Sequence, residues 1–101
     1  MITHPYSFKN IKTGEIAGSV TGRQFSAVPC AMAIIKAKVD NVGNVYIGPS
    51  GVTKVGDSTN TTAGFELDAG QDTGWFAIDN LDGFNIICDN SNDGVTYMVL
   101  Y

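Results

Sequence analysis

The residues equipped for chemistry are few and scattered. His4 is the single histidine and stands before Pro5 near the chain start, so Ser-His-Asp or Cys-His chemistry would need an unusually placed base. It reads as a surface residue. Carboxylates pair in sequence at Asp68 with Asp72, Asp79 with Asp82 and Asp89 with Asp93. Acid-base work requires a cleft that drives one member away from its ordinary ionisation, whereas turn composition accounts for every one of these. The run Asp89–Gly94 sets oxygen-bearing side chains at positions 1, 3 and 5 of a calcium loop and glycine at position 6, but position 12 is Leu100 where a bidentate Glu belongs. It reads as an Asx-rich turn. Gly48-Pro49-Ser50-Gly51 lacks the lysine and the following helix of a phosphate loop, and Asn60-Thr61-Thr62 matches a glycosylation sequon in form only. Cys30 and Cys88 allow at most one bridge and are read as two buried thiols, with no CxxC or His/Cys cluster to hold zinc. The expectation is a non-enzymatic chain with no catalytic, cofactor-binding or metal-binding residues.

Such sparse chemistry directs attention to the scaffold. The chain has 101 residues, enough for one domain with a modest core, and only 16% are charged against 44% hydrophobic, which separates it from disordered acidic chains. The net charge of −4 argues against nucleic acid as a partner. The longest apolar stretch, Ala31 to Ile35, is far short of a membrane span, and Met1 to Pro5 shows no secretion signal, so use in a cytoplasm is expected. All six cations precede residue 55, and most of the acids follow it.

Gly, Asn and Asp cut the chain at 40–44, 48–51, 68–71, 79–83 and 89–94, at roughly strand spacing. Between these turns lie β-branched and aromatic runs near 15–20, 31–39, 44–48, 73–78, 84–88 and 95–101, with a short strand near Phe65–Leu67. The pattern predicts an all-β chain, a single small antiparallel β-sandwich (jelly-roll-like) of seven to eight strands over residues 15–101, preceded by an N-terminal arm, residues 1–14. Alternation puts Ala31, Ala33, Ile35, Ala37 and Val39 on one face with Lys36 and Lys38 on the other, and makes Cys88 a core residue beside Phe84 and Ile86. The last run is apolar on both faces. Met32, Ile34 and Ile87 fall on faces that a simple sandwich leaves outside, which marks them as candidate subunit contacts. Trp75 beside Phe76 reads as packing, with a sugar-stacking role as the alternative.

The run Val28-Pro29-Cys30, then Ile34 to Lys38, Asp40-Asn41 and Gly43 to Thr53 resembles small virion proteins of tailed bacteriophages. Gly64, Leu67, Gly70, Asp79-Asn80-Leu81 and Gly94 to Tyr97 follow in the same order. The resemblance covers roughly residues 20–101 and implies a head decoration (cement) protein or the capsid-proximal part of a head fibre. It implies a virion protein on the capsid exterior, made in the host cytoplasm, that bridges and reinforces major capsid subunits, the major capsid protein being its partner. The alternative is a carbohydrate-binding or host-attachment module of a head fibre or tail. Homo-oligomers are expected, a trimer at a capsid threefold being preferred to a dimer, with no membrane partner. Tyr6, Phe8, Lys9 and Lys12 of the arm, together with Arg23, are the candidate capsid contacts. The polar segment Lys54 to Ala63 is longer than the resemblance leads one to expect.

Overall fold

A computed structural model describes residues 10–56 and 59–101. Eight strands form in the order β1 (Ile11–Ala17), β2 (Arg23–Gln24), β3 (Met32–Ala37), β4 (Val45–Gly48), β5 (Phe65–Leu67), β6 (Phe76–Ala77), β7 (Asn85–Cys88) and β8 (Gly94–Leu100). One turn of 3-10 helix, Leu81–Gly83, precedes β7. The strands make two four-stranded antiparallel sheets, β1-β8-β3-β6 and β2-β7-β4-β5. Within this order β1 pairs with β8, β2 with β7, β3 with β6 and β4 with β5. The chain is therefore one long hairpin rolled across two layers, which is the jelly-roll form of the β-sandwich.

The core lies between the layers. From the first sheet Ile16, Ala33, Ile35, Ala37, Val95 and Val99 point inward, and from the second Val45, Ile47, Leu67, Ile86 and Cys88. Phe25 and Val28, on the stretch between β2 and β3, and Leu81 of the 3-10 turn close one side. Asn80 holds that closure: its Oδ1 accepts from the Val28 N–H at 2.9 Å and from the Asp82 N–H at 3.1 Å. Asn80 thus caps the short helix and ties it across the sandwich.

Several boundaries differ from the sequence reading. β1 begins at Ile11, so residues 11–14 belong to the sheet and not to an arm. Edge position explains why its alternation is faint: Ile16 alone is buried, Gly14 is blank, and Ile11 lies on the opposite face. Val39, expected inside, is 73% exposed because β3 ends at Ala37 and the chain turns through Lys38 and Asp40. Trp75, expected to pack, is 45% exposed one residue before β6.

Candidate functional site

The two carboxylates of the 89–94 loop are directed at the protein itself, while Asn90, Ser91 and Asn92 are exposed. Asp93 is only 3% exposed. Its Oδ1 accepts from the Val42 N–H and its Oδ2 from the Gly43 N–H, both at 2.8 Å. Asn41 and Gly94 exchange a second pair, the side-chain amide of Asn41 donating to Gly94 O at 2.9 Å and accepting from the Gly94 N–H at 3.0 Å. Asp89 accepts from the Asn44 N–H at 3.0 Å and faces Lys54 Nζ at 3.7 Å. These contacts lock the 40–44 turn onto the start of β8. Among the described residues no group of three or more His, Cys, Asp or Glu side chains is arranged to hold a metal ion.

Both thiols are free. Burial pushes the Cys88 thiol up from its ordinary value, and burial with the Asp79 charge does the same for Cys30. Cys30 donates to the Ile78 carbonyl at 3.3 Å. Raised thiols are poor nucleophiles near neutral pH.

Tyr46 points away from the core on β4 yet is 5% exposed. The connection from β4 to β5 folds back over it: Thr53 N–H donates to Thr62 O at 2.9 Å and Gly64 N–H to Thr53 O at 2.8 Å. A side chain at Gly64 would meet Tyr46 Cβ at 2.8 Å. The described ends of this connection, Val52 to Lys54 and Thr62 to Gly64, thus form a flap on the second sheet, anchored by buried Val52, and Tyr46 is buried beneath it.

The outer face of the first sheet is different, because no segment among the described residues crosses it to form a further layer. Register sets its side chains in three rows across β1, β8 and β3: Ile11–Leu100–Met32, Thr13–Met98–Ile34 and Glu15–Thr96–Lys36. Ala77 of β6 extends the first row beyond Met32. Ile11 is 67% exposed and Met98 is exposed, while Met32, Ile34 and Leu100 shelter one another. A shallow groove of about 440 Å³ runs across the second and third rows, lined by Thr13, Ile34, Lys36, Thr96 and Met98 among others. At its charged end Lys38 Nζ meets Glu15 Oε1 at 2.8 Å, which holds the Glu15 carboxyl below its ordinary value and the Lys38 ammonium above.

The candidate contacts distribute as follows. Met32 and Ile34 sit together on this face, but Ile87 lies on the outer face of the other sheet, beside Tyr46, so the three do not form one surface. Lys12 and Arg23 are exposed along the open edge made by β1 and β2, where Arg23 Nη1 donates to the Ala17 carbonyl at 3.5 Å. Tyr6, Phe8 and Lys9 lie outside the described residues. Ile11, Met98 and Leu100 are the surface residues missed; two-sided apolarity of the last run was the available signal for two of them.

Comparison with family models, with curated proteins and with solved structures finds no match to this chain.

Proposed function

We propose that this chain is a structural module that works by adhesion, a decoration protein that attaches to the outside of a tailed-phage capsid and bridges major capsid subunits. The adhesive part of this reading rests on one observation: Ile11, Met32, Ile34, Met98 and Leu100 form a contiguous apolar surface on paired strands. Contiguous apolar patches of this kind mark contact surfaces in soluble domains. The capsid as partner rests on the sequence resemblance. In that role the carboxylates serve as turn clamps, as Asp93 does, and the chain needs no reactive group. Several weak contacts made by associated copies act together through high effective concentration. Lys12 and Arg23, on the β1–β2 edge, supply shell contact together with Tyr6, Phe8 and Lys9.

Mixing the purified chain with undecorated heads tests the proposal. Stoichiometric co-sedimentation is expected, weakened by deleting residues 1–9, a cut that spares β1; absence of co-sedimentation overturns it. A second reading, a carbohydrate-binding module, is favoured by the exposure of Trp75 at 45% and Tyr101 at 50%. Glycan-dependent quenching of Trp75 fluorescence without head binding would select that reading.

A further inference from the structure

We propose that the outer face of the first sheet is covered by a second copy of the same face, in a dimer whose two-fold axis runs along β8. This concerns how copies meet one another, goes beyond the attachment role, and stands or falls without reference to what the dimer binds.

The argument comes from the symmetry of the three rows. Each row has β8 at its centre, with β1 on one side and β3 on the other. A two-fold axis laid along β8, between two such faces, returns each row to itself in reverse order. Leu100, Met98 and Thr96 then meet their own copies on the axis. Met32 meets the partner's Ile11, so the most exposed apolar residue of the face is covered by the flexible thioether best able to fit it. Ile34 meets the partner's Thr13. Lys36 meets the partner's Glu15, and the reciprocal contact forms on the other side of the axis.

Charge fixes the direction of the axis. Turning it across the strands would instead lay Glu15 over the partner's Ile11 and Lys36 over the partner's Met32, placing charged groups against apolar ones. With the axis along β8, apolar rows meet apolar rows and the charged rows are complementary. Glu15 already engages Lys38 of its own chain, and the partner's Lys36, which has no ion pair among the described residues, completes an alternation of charge. Face-to-face contact between identical patches is isologous and closes with two copies, so this surface specifies a dimer where the sequence reading preferred a trimer. Aligned sheets pack face to face about 10 Å apart, the geometry this arrangement requires. An outward residue covers about 33 Å² of sheet, so the three rows bury on the order of 300 Å² per partner, below the roughly 1,000 Å² total of a stable interface, and the dimer is a weak, reversible one expected at roughly 100 μM chain and above.

Sedimentation velocity of the full chain over a range of concentrations tests this. Wild type is expected to run as a concentration-dependent dimer. Met98→Lys sets two like charges against each other on the axis and is expected to weaken the dimer by about 100-fold, with an unchanged far-ultraviolet spectrum. Ile87→Lys on the opposite sheet is expected to leave the mass unchanged. Lys36→Glu and Glu15→Lys each place like charges across the interface and are expected to weaken self-association by about 10-fold. Mixed in equal amounts, these two variants regain opposite charges at both contacts, and heterodimers are expected at wild-type concentrations. The proposal is overturned by a monomeric or trimeric wild type, by a dimer that Met98→Lys leaves intact, or by no gain on mixing. If Met98→Lys does not fold, the mixing experiment alone decides. Head binding can fail while the dimer forms, and the reverse, so the two readings are separable.

Discussion

Asp93 holds Gly43 across the end of the sandwich: one carboxylate oxygen accepts from the Gly43 N–H at 2.8 Å while the other accepts from Val42. The sequence places these residues fifty positions apart, in two turns that look alike in composition. In the fold they are one device, because the carboxylate satisfies two backbone donors that would otherwise end β3's exit turn unpaired. Asp93→Asn keeps the shape but turns one acceptor into a donor facing an N–H. The expected loss is about 1.5–3 kcal/mol in urea unfolding, the range for a buried hydrogen bond to a charged group. Ser91→Ala, in the same loop but exposed, is expected to change stability by less than about 0.5 kcal/mol.

The thiols set a second expectation, in pH. Burial raises both Cys88 and Cys30 above the ordinary thiol value of 9.0, so the folded chain retains protons that the unfolded chain releases. Where the unfolded state binds fewer protons, stability falls as pH rises. The contribution is fully present below the thiol's unfolded value and is lost as pH climbs through the raised folded one. Urea midpoints are expected to drop from about pH 8.5 upward, and Cys88→Ala is expected to flatten that slope while lowering the midpoint at neutral pH. A profile with the same alkaline slope in both proteins would contradict this assignment.

Gly64 gives a test of the flap over the second sheet. A β-carbon there would meet Val52 Cγ2 at 2.7 Å and the Tyr46 backbone carbonyl carbon at 3.1 Å, and backbone does not yield as a flexible side chain does. Gly64→Ala is therefore expected to lift the flap, costing about 1–3 kcal/mol as overpacking does. Tyr46 would be exposed in consequence. Its hydroxyl is held above its ordinary value by burial and then by the Asp89 and Glu66 charges, so spectrophotometric titration should show one tyrosine moving down toward the ordinary value in the variant.

Much of this architecture is legible because strand periodicity is strict wherever one face is fully buried. Ala33, Ile35 and Ala37 against Lys36, and Ile86 and Cys88 against Asn85, read directly as inside and outside. The same rule loses force at edges. β2 is two polar residues, Arg23 and Gln24, held by pairing with β7 and by no hydrophobic pattern of their own. β1 buries Ile16 only, so its true start at Ile11 carries no alternating signal. The candidate face depended on knowing that β1 and β3 flank β8 on opposite sides, a fact of long-range pairing that local composition does not encode. Ile87 reads as outward-facing just as Met32 and Ile34 do, yet it lies on the other sheet: face can be read within a strand, but not which sheet a strand joins.

Phe25 offers the most direct test of how the rolled hairpin is closed. It sits outside regular structure, after β2, yet is among the largest fully buried side chains. Its N–H donates to the Phe84 carbonyl at 3.0 Å, and its ring lies 5.9 Å from that of Phe84, which in turn meets Phe76 edge-on at 5.4 Å. The three rings thus connect the second sheet's edge segment, the approach to β7 and the first sheet's β6. Removing one of them opens a cavity between layers that rigid sheets cannot collapse to fill. Phe25→Ala is expected to cost about 3–5 kcal/mol, a large share of the stability of so small a domain. Phe25→Leu, which keeps most of the volume, is expected to cost less than half as much. Equal losses for the two variants would show that the site is not packed as described and that closure of this side depends on backbone pairing alone.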